Sequence, residues 1–261
     1  MRNTQIFLRD PNVLRAIIER AAITKTDIVI EIGSGDGRLT KEIASRAKKV
    51  YAIERDLNLL DTSKMNLAEF DNVEFVHGDA LEVDFPESAN KIVSNLPYAI
   101  SSPITTKIVY FLNAHRGSVA ILMYQKEFAE RMLAIPGIRD YSMLTVFSQY
   151  TSDIKKLMNV NKKCFRPTPS VDSVVLEVKP KNIEINKGFL SFCRVIFQHK
   201  KKNFYSALLD SREKMAVHSK EEIRERLKGI NEDILKRKVF FFEIDELLDI
   251  YNKILKVGIW R

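Results

Sequence analysis

The sequence predicts an α/β fold: a mostly parallel seven-stranded sheet with an antiparallel end, followed by a small all-α C-terminal domain. Three observations carry that prediction. The runs "DIVIEIG", "KVYAIE", "NVEFVHGDA", "KIVSNLPY" and "SVAILMYQ" alternate with helical patterns such as "LTKEIASRA" and "LDTSKMNLAEF", as expected for βαβ units with both sheet faces covered. Beyond Gln149, "TSDIKKLMNV" and "SVDSVVLEVKP" are β-branched or alternating and flank the proline-punctuated "CFRPTPS", which predicts an antiparallel hairpin at the sheet edge. After the polar "KPKNIEINKG" at 179–188 the apolar period becomes helical, with a Ser cap and early acids in "SKEEIRERL" and an amphipathic run in "EIDELLDIYNKIL". The boundary is drawn between residues 1–181 and 182–261.

Composition fits this division. A chain of 261 residues, 45% hydrophobic, can bury one sizeable core and still supply a smaller second unit. The net charge is +8, and residues 181–261 hold 18 Lys or Arg against 12 Asp or Glu, so most of the basic surplus lies in the last third. Such a surplus favours an anionic partner. Cys164 and Cys193 belong to no paired motif and read as two unpaired core thiols, with neither a zinc site nor a disulfide framework indicated. No apolar run is long enough for a membrane span, and "MRNTQIFLRD" lacks a signal-peptide core, so a soluble cytoplasmic protein without membrane contact is expected.

"VIEIGSGDGRLTKEIA" at 29–44 reads as a strand, a glycine turn and a helix start, a geometry that presents backbone N–H groups and a helix N-terminus to a ligand. Glycines fall at Gly33, Gly35 and Gly37, and Arg38 stands where the dinucleotide fingerprint requires a small residue, which disfavours a nicotinamide dinucleotide. A turn that merely needs positive φ is the alternative. The next strand ends in Glu54, at the distance where an acid accepts the hydroxyls of a ribose. The third ends in Asp79, whose carboxylate can accept an adenine amine while the Ala80 N–H donates to a ring nitrogen. Either acid alone could be a strand-end cap. Their order after the glycine turn suits a nucleoside without a pyrophosphate.

The fourth strand ends in "NLPY" at 95–98. Here the chain resembles the S-adenosyl-L-methionine-dependent methyltransferases of Rossmann-like class I fold, and the motif resembles the amino-methyltransferase signature in its rRNA adenine form. An adenine amine is a poor nucleophile because its lone pair is delocalised into the ring. The Asn95 side-chain oxygen and the carbonyl of Leu96 or Pro97 would accept its hydrogens, with Tyr98 stacked on the base. A plain strand-to-helix turn with Tyr98 as a core aromatic is the alternative.

The resemblance covers nearly the whole chain and points to the KsgA family of rRNA adenine N6,N6-dimethyltransferases, in an archaeal-looking form. "TQIFLRDPNVLRAII", "SSPITTK", "MYQKEFAERMLA", "DYSMLTVFSQY" and "FRPTPSVDSVV" fall in family order. It implies S-adenosyl-L-methionine as cofactor and S-adenosyl-L-homocysteine as product. Gln5, Ile6 and Leu8 would border the cofactor, with Gly33, Gly35, Glu54, Asp79, Ala80 and Asn95 in contact. Phe165 would stack on the target adenine opposite Tyr98, the alternative being a core aromatic ahead of a proline turn.

"FQHKKKNFYSALLD" at 197–210 resembles the basic segment opening the family's C-terminal domain. Lys200, Lys201 and Lys202, with Lys187 and Arg194, would attract RNA phosphates, against the alternative of a solvated helix face. The implied partners are small-subunit rRNA and the immature small subunit, with a monomer as the default state. Thr4 stands where the family has Gly, and few residues precede Gln5, so part of the family's basic N-terminal RNA contact is missing or moved. Two rival readings remain: an Erm-like methyltransferase of large-subunit rRNA, and a non-catalytic assembly or transcription factor of the same fold.

Overall fold

The computed structural model describes residues 6–217 and 219–260. In chain order the strands are β1 (Phe7–Leu8), β2 (Ile28–Ile32), β3 (Lys49–Glu54), β4 (Val73–His77), β5 (Lys91–Asn95), β6 (Val119–Gln125), β7 (Ser152–Val160), β8 (Phe165–Arg166) and β9 (Ser173–Pro180). The helices are α1 (Pro11–Ala21), α2 (Arg38–Ala44), α3 (Leu57–Asn66), α4 (Ser101–Ala114), α5 (Lys126–Met132), α6 (Met143–Thr151), α7 (Lys187–Ile196), α8 (Phe204–Asp210), α9 (Lys220–Arg226), α10 (Glu232–Lys236) and α11 (Ile244–Lys256).

Seven strands form one sheet in the order β4-β3-β2-β5-β6-β9-β7, parallel from β4 through β6 and antiparallel across β9 and β7. This is the expected architecture, with one refinement. The last strand of the sequence reading, β9, lies inside the sheet between β6 and β7, so β7 alone forms that edge. The burial pattern explains the order: β9 is apolar nearly throughout, whereas β7 exposes Asp153, Lys155 and Lys156, charges suited to an edge.

The strand order reverses at β2 and β5, which run parallel side by side while β3 and β4 extend one way and β6 the other. A crevice opens outside the carboxyl ends of strands at such a switch point. Local signals fix the helices that flank it. Asp10 accepts from the Asn12 and Val13 N–H groups to cap α1, and Asp56 caps α3 through Asn58 and Leu59. Gly37, at φ 84°, opens α2.

The chain divides into two units. One runs through residue 129 and resumes over 151–183; the other combines 130–150 with the chain from 184 onward. The sequence boundary at 181/182 lies close to the observed return at 183/184, but 130–150 belongs with the C-terminal helices. The reason is its apolar face: Ala134, Tyr141 and Val146 are buried in an aromatic core with Phe189, Phe192, Phe204 and Phe242, and the Tyr141 hydroxyl donates to the Phe242 carbonyl at 2.9 Å. Cys193 lies in this core, whereas Cys164 is only half-buried, its Sγ 3.6 Å from Asp10 Oδ2. Among the described residues no helix is long and apolar enough to cross a membrane, and no three His, Cys, Asp or Glu side chains are grouped to hold a metal ion.

Candidate active site at the strand ends

The carboxyl ends of β2, β3 and β5 and the loop after β4 line one cavity of about 910 Å³. That size suits a nucleoside-sized ligand. Gly33, Gly35 and Gly37 all take positive φ, at 72°, 57° and 84°. All three also admit close neighbours: a Cβ on Gly33 would stand 2.9 Å from Pro97 Cγ, one on Gly35 would meet the Phe7 ring at 3.2 Å, and one on Gly37 would stand 2.6 Å from Ser63 Oγ.

Glu54 is held by backbone. Its Oε2 accepts from the Gly35 N–H at 2.9 Å, and its Oε1 accepts from Arg55 at 2.9 Å and Asp56 at 3.0 Å. These bonds fix the carboxylate at the cavity wall with a lone-pair site to spare for a hydroxyl. Asp79 Oδ1 accepts from the Leu81 N–H at 2.9 Å, while Oδ2 lies 3.7 Å from Arg55 Nη1. Ala80 follows, buried and lining the same cavity.

Asn95 ends β5 with its Oδ1 buried and without a hydrogen-bond partner among the described residues. Such an acceptor is costly to leave unmade unless a ligand completes it. Leu96 is buried, with its N–H donating to the Met123 carbonyl at 3.3 Å, and Pro97 is exposed. The Tyr98 hydroxyl lies 2.9 Å from Ser173 Oγ, and burial pushes its pKa up, so the ring stays neutral. Ile6 and Leu8 border the cavity; Gln5 lies outside the described residues.

Phe165 departs from expectation. It is fully buried in the core beneath α1, paired through β8 with Leu8 of β1, and it does not line the cavity. A ring enclosed by Leu14, Ile17 and Val160 has no face to offer a base, so the core-aromatic alternative describes this structure.

The basic residues lie in the other unit. Lys187 and Arg194 are exposed on α7, as is Lys201 in the segment that follows it. Lys200 is different: its ammonium donates to the Arg139 and Tyr141 carbonyls at 2.8 and 2.7 Å, and burial lowers its pKa. Lys202 pairs with Asp210 at 2.6 Å. Of the three consecutive lysines, Lys201 alone has no side-chain hydrogen bond or ion pair among the described residues.

Sequence reasoning missed two groups. Glu31, a lone acid inside the apolar "VIEI" run, lines the cavity with its Oε2 unpartnered among the described residues; burial, opposed by the Thr40 hydroxyl and reinforced by the charges of Glu54 and Asp36, pushes its pKa up to about 8. Lys107 of α4 donates to the carbonyls of Ala80 at 2.9 Å, Leu81 at 3.3 Å and Val83, and stands 4.5 Å from the centre of the Phe85 ring, stapling the loop that carries Asp79. For Glu31 the signal was a single charge in an otherwise apolar strand; for Lys107 it was the one charged residue of α4.

The model of the family described as ribosomal RNA adenine dimethylase matches residues 1–232. The chain belongs to that family. A "Probable ribosomal RNA small subunit methyltransferase A" of Methanopyrus kandleri is 41% identical over 239 residues, covering 90% of this chain and 84% of the relative. Its namesake in Methanococcus maripaludis is 43% identical over 258 residues, covering 95% and 93%. A dimethyladenosine transferase of Plasmodium falciparum superimposes with a TM-score of 0.81 at 31% identity, over 97% of this chain and 98% of that one. This member of the rRNA adenine dimethylase family is a methyltransferase, and the residues present suit its cofactor. Gly33 and Gly35 line the cavity with Glu54 at the end of β3 and Asp79 just beyond β4, and the Asn95 Oδ1 in the same lining is buried with no hydrogen-bond partner among the described residues.

Proposed function

We propose that the chain dimethylates the N6 amine of adenines near the 3′ end of small-subunit rRNA during small-subunit biogenesis, with S-adenosyl-L-methionine as donor and S-adenosyl-L-homocysteine as product. The observation that carries this reading is the buried, unpartnered Oδ1 of Asn95 in the cavity that Gly33, Glu54 and Asp79 line. Glu54 accepts a ribose hydroxyl at its remaining lone pair. Asp79 accepts the cofactor's adenine amine, and the Ala80 N–H donates to the ring. The cofactor presents a methyl on a sulfonium that departs as a neutral thioether, so no leaving-group acid is required.

Asn95 Oδ1 and the Leu96 or Pro97 carbonyl accept the two hydrogens of the target amine, holding its lone pair in line with the methyl carbon. Tyr98 offers its half-buried ring to the target base. As the new N–C bond forms, the C–S bond breaks with its electrons going to sulfur, and the amine then releases one proton to solvent. No general base is needed, and positioning supplies most of the rate. The target adenine must be unstacked to reach this site. The relatives' names support the small-subunit substrate over a large-subunit one, and the intact acceptors support an enzyme over a binding protein. A cytoplasmic monomer acting on the immature subunit completes the reading.

The test is transfer of radiolabelled methyl from S-adenosyl-L-methionine onto unmethylated small subunits, with large subunits and naked rRNA alongside, followed by nucleoside analysis. Dimethyladenosine on the small particle is expected. Label on large-subunit RNA, or none anywhere, would overturn the reading.

A further inference from the structure

The proposed reaction gives Tyr98 the target base, yet the segment that carries this residue is short. It is a single 3₁₀ turn, Tyr98–Ile100, in which the Ile100 N–H donates to the Pro97 carbonyl at 3.2 Å and no side chain caps the start. A turn of that kind places the Tyr98 Cα and leaves the side-chain torsions to be set by packing. The far end of the ring has a partner elsewhere: the Tyr98 hydroxyl lies 2.9 Å from Ser173 Oγ, 75 residues later in the chain.

Ser173 is a fixed point. It is fully buried at the first position of β9, paired on one side with Gln125 of β6 and on the other with Val160 of β7. The residue before it is fastened as well: Asp172 accepts from the Lys126 N–H through its carbonyl and from the Lys162 N–H through Oδ1, both at 2.9 Å. A one-torsion side chain on a strand held from both edges makes a rigid anchor. Ser173 does not itself line the cavity that Tyr98 lines. Nor does α4, the helix after the turn, depend on this tie. Thr105 Oγ1 of α4 donates to the Ser101 carbonyl at 2.5 Å and lies 2.8 Å from the hydroxyl of Tyr124 on β6, which therefore donates to it. Thr105 and Tyr124 are both buried. With α4 secured to β6 there, the restraint from Ser173 falls on the Tyr98 ring.

We propose that Ser173 is a positioning residue for methyl transfer: its hydroxyl fixes the direction of the Tyr98 ring, and with it the place where the target base stacks and the line on which its amine meets the methyl carbon. The proposal rests on the reading of Tyr98 as the stacking residue of that reaction. The turn sets one end of the ring's long axis and β9 sets the other. Conjugation keeps a phenol O–H in the plane of its ring, so a hydrogen bond to a fixed partner also restrains rotation about that axis. A stacking surface held in this way suits an in-line displacement, whose rate depends on alignment.

The experiment measures kcat and KM for methyl transfer by the full-length protein to unmethylated small subunits, with S-adenosyl-L-homocysteine affinity by calorimetry and thermal melting alongside. Ser173→Ala should lower kcat about five- to ten-fold, the scale of one hydrogen bond lost from a positioned group, with S-adenosyl-L-homocysteine affinity unchanged. Tyr98→Phe, which leaves β9 untouched, removes the other half of the tie and should lower kcat at least as much. The double variant Tyr98→Phe/Ser173→Ala should then be no slower than Tyr98→Phe alone. Ser173→Thr keeps the hydroxyl on a side chain suited to a strand and should bring kcat back to within about two-fold of wild type. Tyr124→Phe is the contrast: it cuts the buried tie to α4 and should lower the melting temperature while leaving kcat within about two-fold of wild type. Additive losses in the double variant overturn the proposal, as does Ser173→Ala or Tyr98→Phe at wild-type kcat. A kcat loss in Tyr124→Phe equal to that in Ser173→Ala also overturns it, since Ser173 would then act through stability alone. Wild type that transfers methyl to no rRNA sinks the proposed function and this role together; normal transfer by Ser173→Ala sinks the role alone.

Discussion

Gly33 and Pro97 lie so close that a Cβ on the glycine would come within 2.9 Å of the proline Cγ. The glycine turn after β2 and the "NLPY" motif after β5, to which the proposed function gives the cofactor and the target base, are thus in van der Waals contact.

Gly33→Ala therefore meets two obstacles, a φ of 72° and a clash with a rigid ring. A loss of about 1–3 kcal/mol in stability is expected, together with weakened S-adenosyl-L-homocysteine binding. Thermal melting and calorimetric titration check the two effects; wild-type values in both would mean the turn relaxes freely.

Asn95→Ala removes the buried side-chain oxygen at the end of β5 that is proposed to accept the target amine. Methyl transfer should fall at least about a hundred-fold, on the scale of losing one polar group that positions a reacting centre, with the melting temperature preserved. A variant that retains near wild-type turnover would assign the amine to other acceptors.

Glu31 links stability to pH. Burial holds its folded pKa at about 8, while the ordinary value is 4.5. Below the ordinary value the carboxyl is neutral in both states and carries no penalty. As pH rises from there to about 8, the unfolded chain releases the proton first, so stability falls by a few kcal/mol at most. Glu31→Gln abolishes that loss. The variant's melting temperature should match wild type near pH 5 and exceed it increasingly towards about pH 8; a gap independent of pH would show that Glu31 ionises normally.

Lys107 orders the loop bearing Asp79 and Ala80 by donating to three of its carbonyls. Lys107→Met keeps the stem and removes the donors, leaving those carbonyls without their protein partner. S-adenosyl-L-homocysteine affinity should drop by about three- to ten-fold, with turnover at saturating donor little changed. Unaltered affinity would uncouple the loop from cofactor binding.

What the sequence disclosed depended on how local each signal was. Strand identity was legible because β2 is buried on both faces, so its run "IVIEI" is apolar but for Glu31. Glu54 and Asp79 were legible because strand ends in a parallel sheet converge on one side, whatever the helices between them do. Phe165 was not legible: its enclosure depends on β1, more than 150 residues earlier in the chain, pairing across it. The lysine run misled for the same reason. Lys200 and Lys201 are neighbours in sequence, but only one has carbonyls from residues 139 and 141 folded over its ammonium. The placement of 130–150 failed similarly, since an amphipathic helix declares that it has a partner without declaring which.

The divided origin of the C-terminal unit has a consequence for the order in which a nascent chain can mature. Tyr141 and Val146 leave the ribosome before β7 and β9 are made, and long before Phe189, Phe192 and Phe242, the rings that enclose them. Folding one domain after another from the N-terminus is therefore closed to this chain. Until translation reaches α11, the 130–150 segment must wait with its apolar face uncovered, which makes the last third of synthesis the interval of greatest exposure to misassociation.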